Sequence, residues 1–129
     1  MKTLAIVAAM CLALVACKTA EESLMESGKK PLTSAQIKEL YSGKTMNGTS
    51  TSGRSFQVSF KADGQASFSG GNLSDTGKWW AEGSNLYCSQ WTKIRKGEKS
   101  CRRVYDLGNG KYQSVQLDGS ESSTFSVKK

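Results

Sequence analysis

Between Cys88 and Arg103 the chain gathers the side chains best suited to binding or reacting. Lys93, Arg95, Lys96, Lys99, Arg102 and Arg103 stand there against Glu98 alone. The chain of 129 residues holds 18 basic and 11 acidic residues, a net charge of +7, so most of the excess lies in this one segment. A basic cluster flanked by Trp91 suits an anionic partner, such as lipid phosphates, an acidic polysaccharide or a protein. The plainer reading is a solvated loop whose charge serves solubility. Trp91 and Tyr87 share a strand face. An exposed pair of this kind grips a sugar ring or a protein hot spot, and a buried pair simply fills a core.

Reactive constellations are scarce. The chain has no histidine, which removes Ser-His-Asp and Cys-His nucleophiles and histidine-based zinc sites. There is no glycine-rich phosphate loop of the Walker type and no dinucleotide fingerprint. From Leu32 onward the carboxylates are Glu39, Asp63, Asp75, Glu82, Glu98, Asp106, Asp118 and Glu121. Glycoside hydrolysis needs a matched carboxylate pair, and nothing in the spacing singles one out. Asp63 and Asp118 each precede glycine and read as turn residues. The expectation is a non-enzymatic protein with no catalytic residue, cofactor or metal.

The N-terminal segment sets the compartment. Lys2 precedes an apolar run from Leu4 to Ala16, which is too short for the roughly 20 residues that cross a bilayer. A basic start, an apolar middle and small residues before a cut site read as a secretory signal. Leu14-Val15-Ala16-Cys17 resembles the lipobox of bacterial lipoproteins. That likeness implies cleavage before Cys17 and acylation of its thiol, a lipid anchor in the membrane; an ordinary signal with an incidental Cys17 is the alternative. Lys18, rather than Asp, follows the cysteine, which by the same likeness implies the cell outer membrane. An exported domain sits in an oxidising compartment. Cys11 leaves with the signal, so Cys88 and Cys101 remain and are expected to form a disulfide. A metal site would need more ligands than two cysteines. Nucleic acid is not an expected partner.

These residues must be held by a small domain. The segments read as a signal peptide at 1–16, a lipidated N-terminus and flexible tether at 17–31, and a β-rich domain at 32–129. Thr33 with Gln36 makes a capping box for a helix over Thr33 to Ser42, stopped by Gly43. Phe56, Val58 and Phe60 then alternate with polar residues, as in a half-buried strand. Asp63-Gly64 reads as a hairpin turn that returns through Ala66 and Phe68. Further strands are expected at Lys78–Ala81, Leu86–Thr92, Cys101–Leu107, Tyr112–Leu117 and Thr124–Val127. The fold class is therefore mainly β: a small antiparallel barrel or sandwich of about seven to eight strands, preceded by one short α-helix. Alternation places one of Trp79 and Trp80 in the core and one outside. If Cys88 faces Cys101 across a hairpin, Trp91 lies opposite Glu98 and Lys93 to Lys96 form the tip.

Two resemblances bear on this reading. The helix ending in Ser42-Gly43-Lys44-Thr45, then Gly77-Lys78-Trp79, Leu86-Tyr87-Cys88-Ser89-Gln90-Trp91, Cys101-Arg102-Arg103-Val104-Tyr105, Asp118-Gly119-Ser120 and Phe125, resemble an uncharacterised family of small exported Gram-negative proteins. That likeness implies a β-rich, two-cysteine domain and brings no activity. Ser52-Gly53-Arg54-Ser55-Phe56 and Trp79-Trp80-Ala81-Glu82-Gly83 are similar to segments of small lipoprotein inhibitors of C-type lysozyme. In those proteins a Ser-Gly loop enters the lysozyme cleft, which implies muramidase inhibition through Gly53, Arg54 and Ser55 as the alternative function. The longer spacing between the two segments here departs from that pattern.

Overall fold

The capping box forms as the sequence directs. In the computed structural model, which describes residues 18–129, Thr33 Oγ1 accepts from the Gln36 N–H, and the Gln36 side chain accepts from the Thr33 N–H. The signal segment at 1–16, Cys11 and the lipidation residue Cys17 lie outside the described residues. The capped helix, α2 (Ser34–Tyr41), follows a shorter helix, α1 (Ala20–Glu26). Eight strands come next: β1 (Thr45–Ser50), β2 (Ser55–Phe60), β3 (Gln65–Gly70), β4 (Leu73–Glu82), β5 (Leu86–Trp91), β6 (Ser100–Gly108), β7 (Lys111–Gln116) and β8 (Glu121–Val127). Each strand pairs antiparallel with its neighbour in sequence, and β1 pairs with β8 to close a barrel.

Closure follows from side-chain alternation. On most strands the inward face carries the larger apolar residues, and Met46, Val58, Phe60, Trp79, Val104 and Phe125 form the core with α2; β6 and β7 also turn Tyr105 and Val115 outward. Trp79 is inside and its neighbour Trp80 outside, as alternation requires. Close approach needs glycine at two interior positions. A Cβ on Gly48 would collide with the Phe56 ring, and one on Gly77 with the Gln90 carbonyl and Trp91. α2 plugs one end. Ile37 is fully buried, and the Tyr41 ring stacks on Tyr87 at 4.8 Å and meets Phe60 edge-on at 4.7 Å.

The expected flexible tether is only partly that, because residues 20–26 fold as α1 and dock on the outer wall of β6 and β7. Thr19 caps the helix by accepting from the Glu22 N–H. Leu24 packs with Tyr105, Val115 and Leu107 in a second apolar cluster outside the barrel. The Glu21 carboxylate takes two bonds from the Arg103 guanidinium, both 2.6 Å, and a third from the Tyr105 hydroxyl at 2.7 Å. A polar stretch with one anchoring leucine shows no hydrophobic period, so composition alone reads it as a linker.

The Arg103 donors hold Glu21 below the ordinary glutamate range, against the opposing effect of burial. Burial and the anionic Glu21 push the Tyr105 hydroxyl up to about 12. A carboxyl with a lowered folded pKa stabilises fully above its unfolded value, about 4.3, and ceases to do so as pH falls through the lowered value. α1 is therefore expected to detach at acid pH before the barrel opens. At neutral pH, Glu21→Ala should release it at a cost of about 3 kcal/mol, because Arg103 and Tyr105 lose a largely buried partner. Hydrogen exchange over residues 20–26 and tryptic cleavage after Lys29 read both effects; unchanged protection in the variant would refute them.

Candidate functional site

The barrel end opposite α2 is left unplugged and is ringed by the turns at 51–54, 71–72, 92–99 (which includes a short 3-10 turn, Ile94–Gly97) and 117–120. Below it the interior holds a cavity of about 360 Å³. Tyr41, Phe60 and Tyr87 reach its floor, and Phe56, Phe68 and Trp91 wall it. The Phe56 and Phe68 rings stack at 5.6 Å, and Trp91 meets Phe68 edge-on at 5.9 Å. Trp91 is thus a cavity wall, only 9% exposed, rather than an outer flank of the basic tip. The strand ladder stops at Ser89 and Ser100, so Trp91 does not pair with Glu98.

Adjacent Arg102 and Arg103 point to opposite sides of β6. Arg102 pairs across to Tyr87 and Gln116 and faces inward. Its Nε is buried with no hydrogen-bond partner, a state that ordinarily costs about 1–3 kcal/mol and calls for an explanation. Arg95 comes to the same mouth from the 92–99 turn and donates from Nη1 to Ser100 Oγ at 2.6 Å. Arg95 and Lys96 both adopt left-handed backbone, φ 54° and 55°. Side chains with a Cβ take that conformation at a cost of about 1–2 kcal/mol each, so something must hold the turn.

Asp75 is that clamp. This inward residue of β4 is 6% exposed, and its carboxylate accepts from the N–H groups of Lys93, Ile94 and Thr76, each at 2.8 Å. Burial raises its pKa, but the three backbone donors outweigh this and hold it below the ordinary aspartate range. Gln90 adds a bond from Nε2 to the Gly97 carbonyl at 3.0 Å, and Ile94 packs against the core. Nothing in the local sequence gives Asp75 a role, because two of its partners lie 18 and 19 residues onward.

The cluster of six cations is divided by the fold. Arg103 belongs to α1 on the outer wall. Lys99 bonds Glu82 at 2.8 Å and lies over the Trp80 ring, also outside. Lys93 and Lys96 stand exposed at the rim with Arg95, and Arg102 points into the cavity. Among the described residues no carboxylate forms a salt bridge with any of these four. Cys88 and Cys101 are directly opposed on β5 and β6, with Cα atoms 4.1 Å apart, and are joined as a disulfide. The bond closes the base of the cation-bearing turn. Glu82 lies beside the two sulfurs, which are used up in the disulfide and offer no thiolate to a metal.

The Ser52-Gly53-Arg54 turn is exposed at the mouth end. Trp79 to Gly83 run to the closed end, so the two segments that resemble lysozyme inhibitors stand at opposite ends of the barrel. Comparison of the chain with protein-family models, with curated proteins and with solved structures finds no match.

Proposed function

We propose that this is a non-enzymatic lipoprotein of the outer membrane, anchored through Cys17, whose barrel binds an anionic envelope component at its open end. One observation carries the reading: an aromatic cavity lined by Arg95 and Arg102 opens beside a turn that exposes Lys93 and Lys96, none of the four in a salt bridge, and Asp75 and the disulfide hold that turn in place. Fixed guanidinium and ammonium groups lower the ordering cost of capturing an anion. Full-length protein in detergent should bind polyphosphate or dextran sulfate far better than neutral dextran, with affinity falling as salt rises. Arg95→Gln combined with Lys96→Glu should weaken binding about 100-fold, at about tenfold for each lost charge-assisted contact. Equal binding of neutral dextran, or an unaffected double variant, would overturn the reading.

Muramidase inhibition remains the second reading, favoured by the exposure of Ser52, Gly53 and Arg54 at the mouth end. Full C-type lysozyme activity in excess protein would dismiss it.

A further inference from the structure

We infer that the mouth of the barrel faces the membrane that receives the lipid on Cys17, and that the cavity takes a single-chain anionic lipid from that surface. This rests on the anion-binding reading above and adds an orientation and a ligand class.

The orientation comes from where α1 begins. The Glu21 N–H donates to the Gly119 carbonyl at 3.0 Å, and Thr19 lies so close that a Cβ on Gly119 would sit 2.9 Å from its Oγ1. Gly119 belongs to the 117–120 turn, and the residues flanking that turn, Gln116 and Glu121, line the cavity. Cys17 precedes Thr19 by two residues, which span at most about 7 Å. The anchor therefore enters the domain at the rim of the mouth. A free tether of 14 residues would reach about 20 Å and leave the barrel unoriented; the docked helix replaces it with a fixed mount. Charge alone would not decide the orientation, since Lys44, Lys61 and Lys128 stand at the closed end.

The ligand class comes from the lining. Aromatic walls favour an acyl chain, and the unpartnered Arg102 Nε, with Arg95 on the same lining against the single carboxylate Glu121, favours an anionic head. At about 30 Å³ per water-sized unit the cavity holds roughly a dozen methylene-sized groups. A carboxylate and a phosphate head share the required chemistry.

The test uses acylated full-length protein in phosphatidylcholine vesicles that contain a nitroxide-headgroup lipid. A fluorophore on Asn72→Cys, in a mouth-end turn, should be strongly quenched, and one on Ser84→Cys, at the closed end, should not. Equal or reversed quenching overturns the orientation. Dodecanoate and dodecyl phosphate are then titrated against the protein in detergent, with tryptophan fluorescence as readout and dodecyl maltoside as the uncharged control. Either anion should bind at least about tenfold tighter than the maltoside, and Arg102→Gln should remove that preference. The two heads differ only in which lipid source they identify. Equal affinity for all three overturns the ligand class. Salt-sensitive polyanion binding that survives either failure would leave the anion-binding reading standing, and its loss as well would remove both.

Discussion

Tyr41→Ala is expected to destabilise the protein by about 3–5 kcal/mol, a large part of the 5–15 kcal/mol typical of a domain. Tyr41 ends α2 and is the centre of an aromatic cluster. It stacks on Tyr87, meets Phe60 edge-on, and lies 5.9 Å from Trp79 and 5.8 Å from Phe125. Its ring is both plug and cavity floor, so truncation removes burial and merges space into an existing cavity. Burial also pushes its hydroxyl pKa well above the ordinary tyrosine value. Thermal unfolding followed by circular dichroism should shift down by about 15 °C, taking about 4 °C per kcal/mol. A negligible shift would mean that α2 is not seated in the barrel.

Loss of the disulfide is the second large effect. Cys88→Ala with Cys101→Ala should cost about 3 kcal/mol, since the bond closes a loop of 13 residues' separation. Reductant applied to the unmodified protein should give the same shift in the urea midpoint and no shift in the double variant. If both proteins unfold alike without reductant, the bond contributes nothing to stability. The variant should also bind polyanions more weakly than its folded fraction accounts for, because the bond fixes the base of the turn that carries Lys93, Arg95 and Lys96.

Much of the fold is legible in local pattern. Thr33 and Gln36 place α2 within a residue, and the alternation at Phe56, Val58 and Phe60 gives β2 directly. The pairing of Cys88 with Cys101 follows from their being the two cysteines after Cys17. What escaped the pattern depends on distant partners. β1, Thr-Met-Asn-Gly-Thr-Ser, has one apolar residue, and its interior position at Gly48 is filled by the ring of Phe56 from the next strand. The start of β4 reads as a loop because its inward residue, Asp75, satisfies backbone donors 18 and 19 residues away rather than packing. α1 depends on Glu21 meeting Arg103 across 82 residues. The basic segment is visible as charge, but only strand alternation and remote carboxylates separate the four mouth cations from Lys99 and Arg103.

The barrel's topology has a kinetic consequence. Seven of its eight ladders join strands that follow each other in the chain and can form as short-loop hairpins. The eighth joins Met46 to Val127 and must bring nearly opposite ends of the domain together. Loop-closure entropy makes that contact the slow one, and local pairing before it keeps the penalty small. Until Glu121–Val127 is in place, β1 and β7 both present open edges able to pair with another chain. Refolding yield should therefore fall with protein concentration during that interval and become insensitive to it once the last strand has closed the ring.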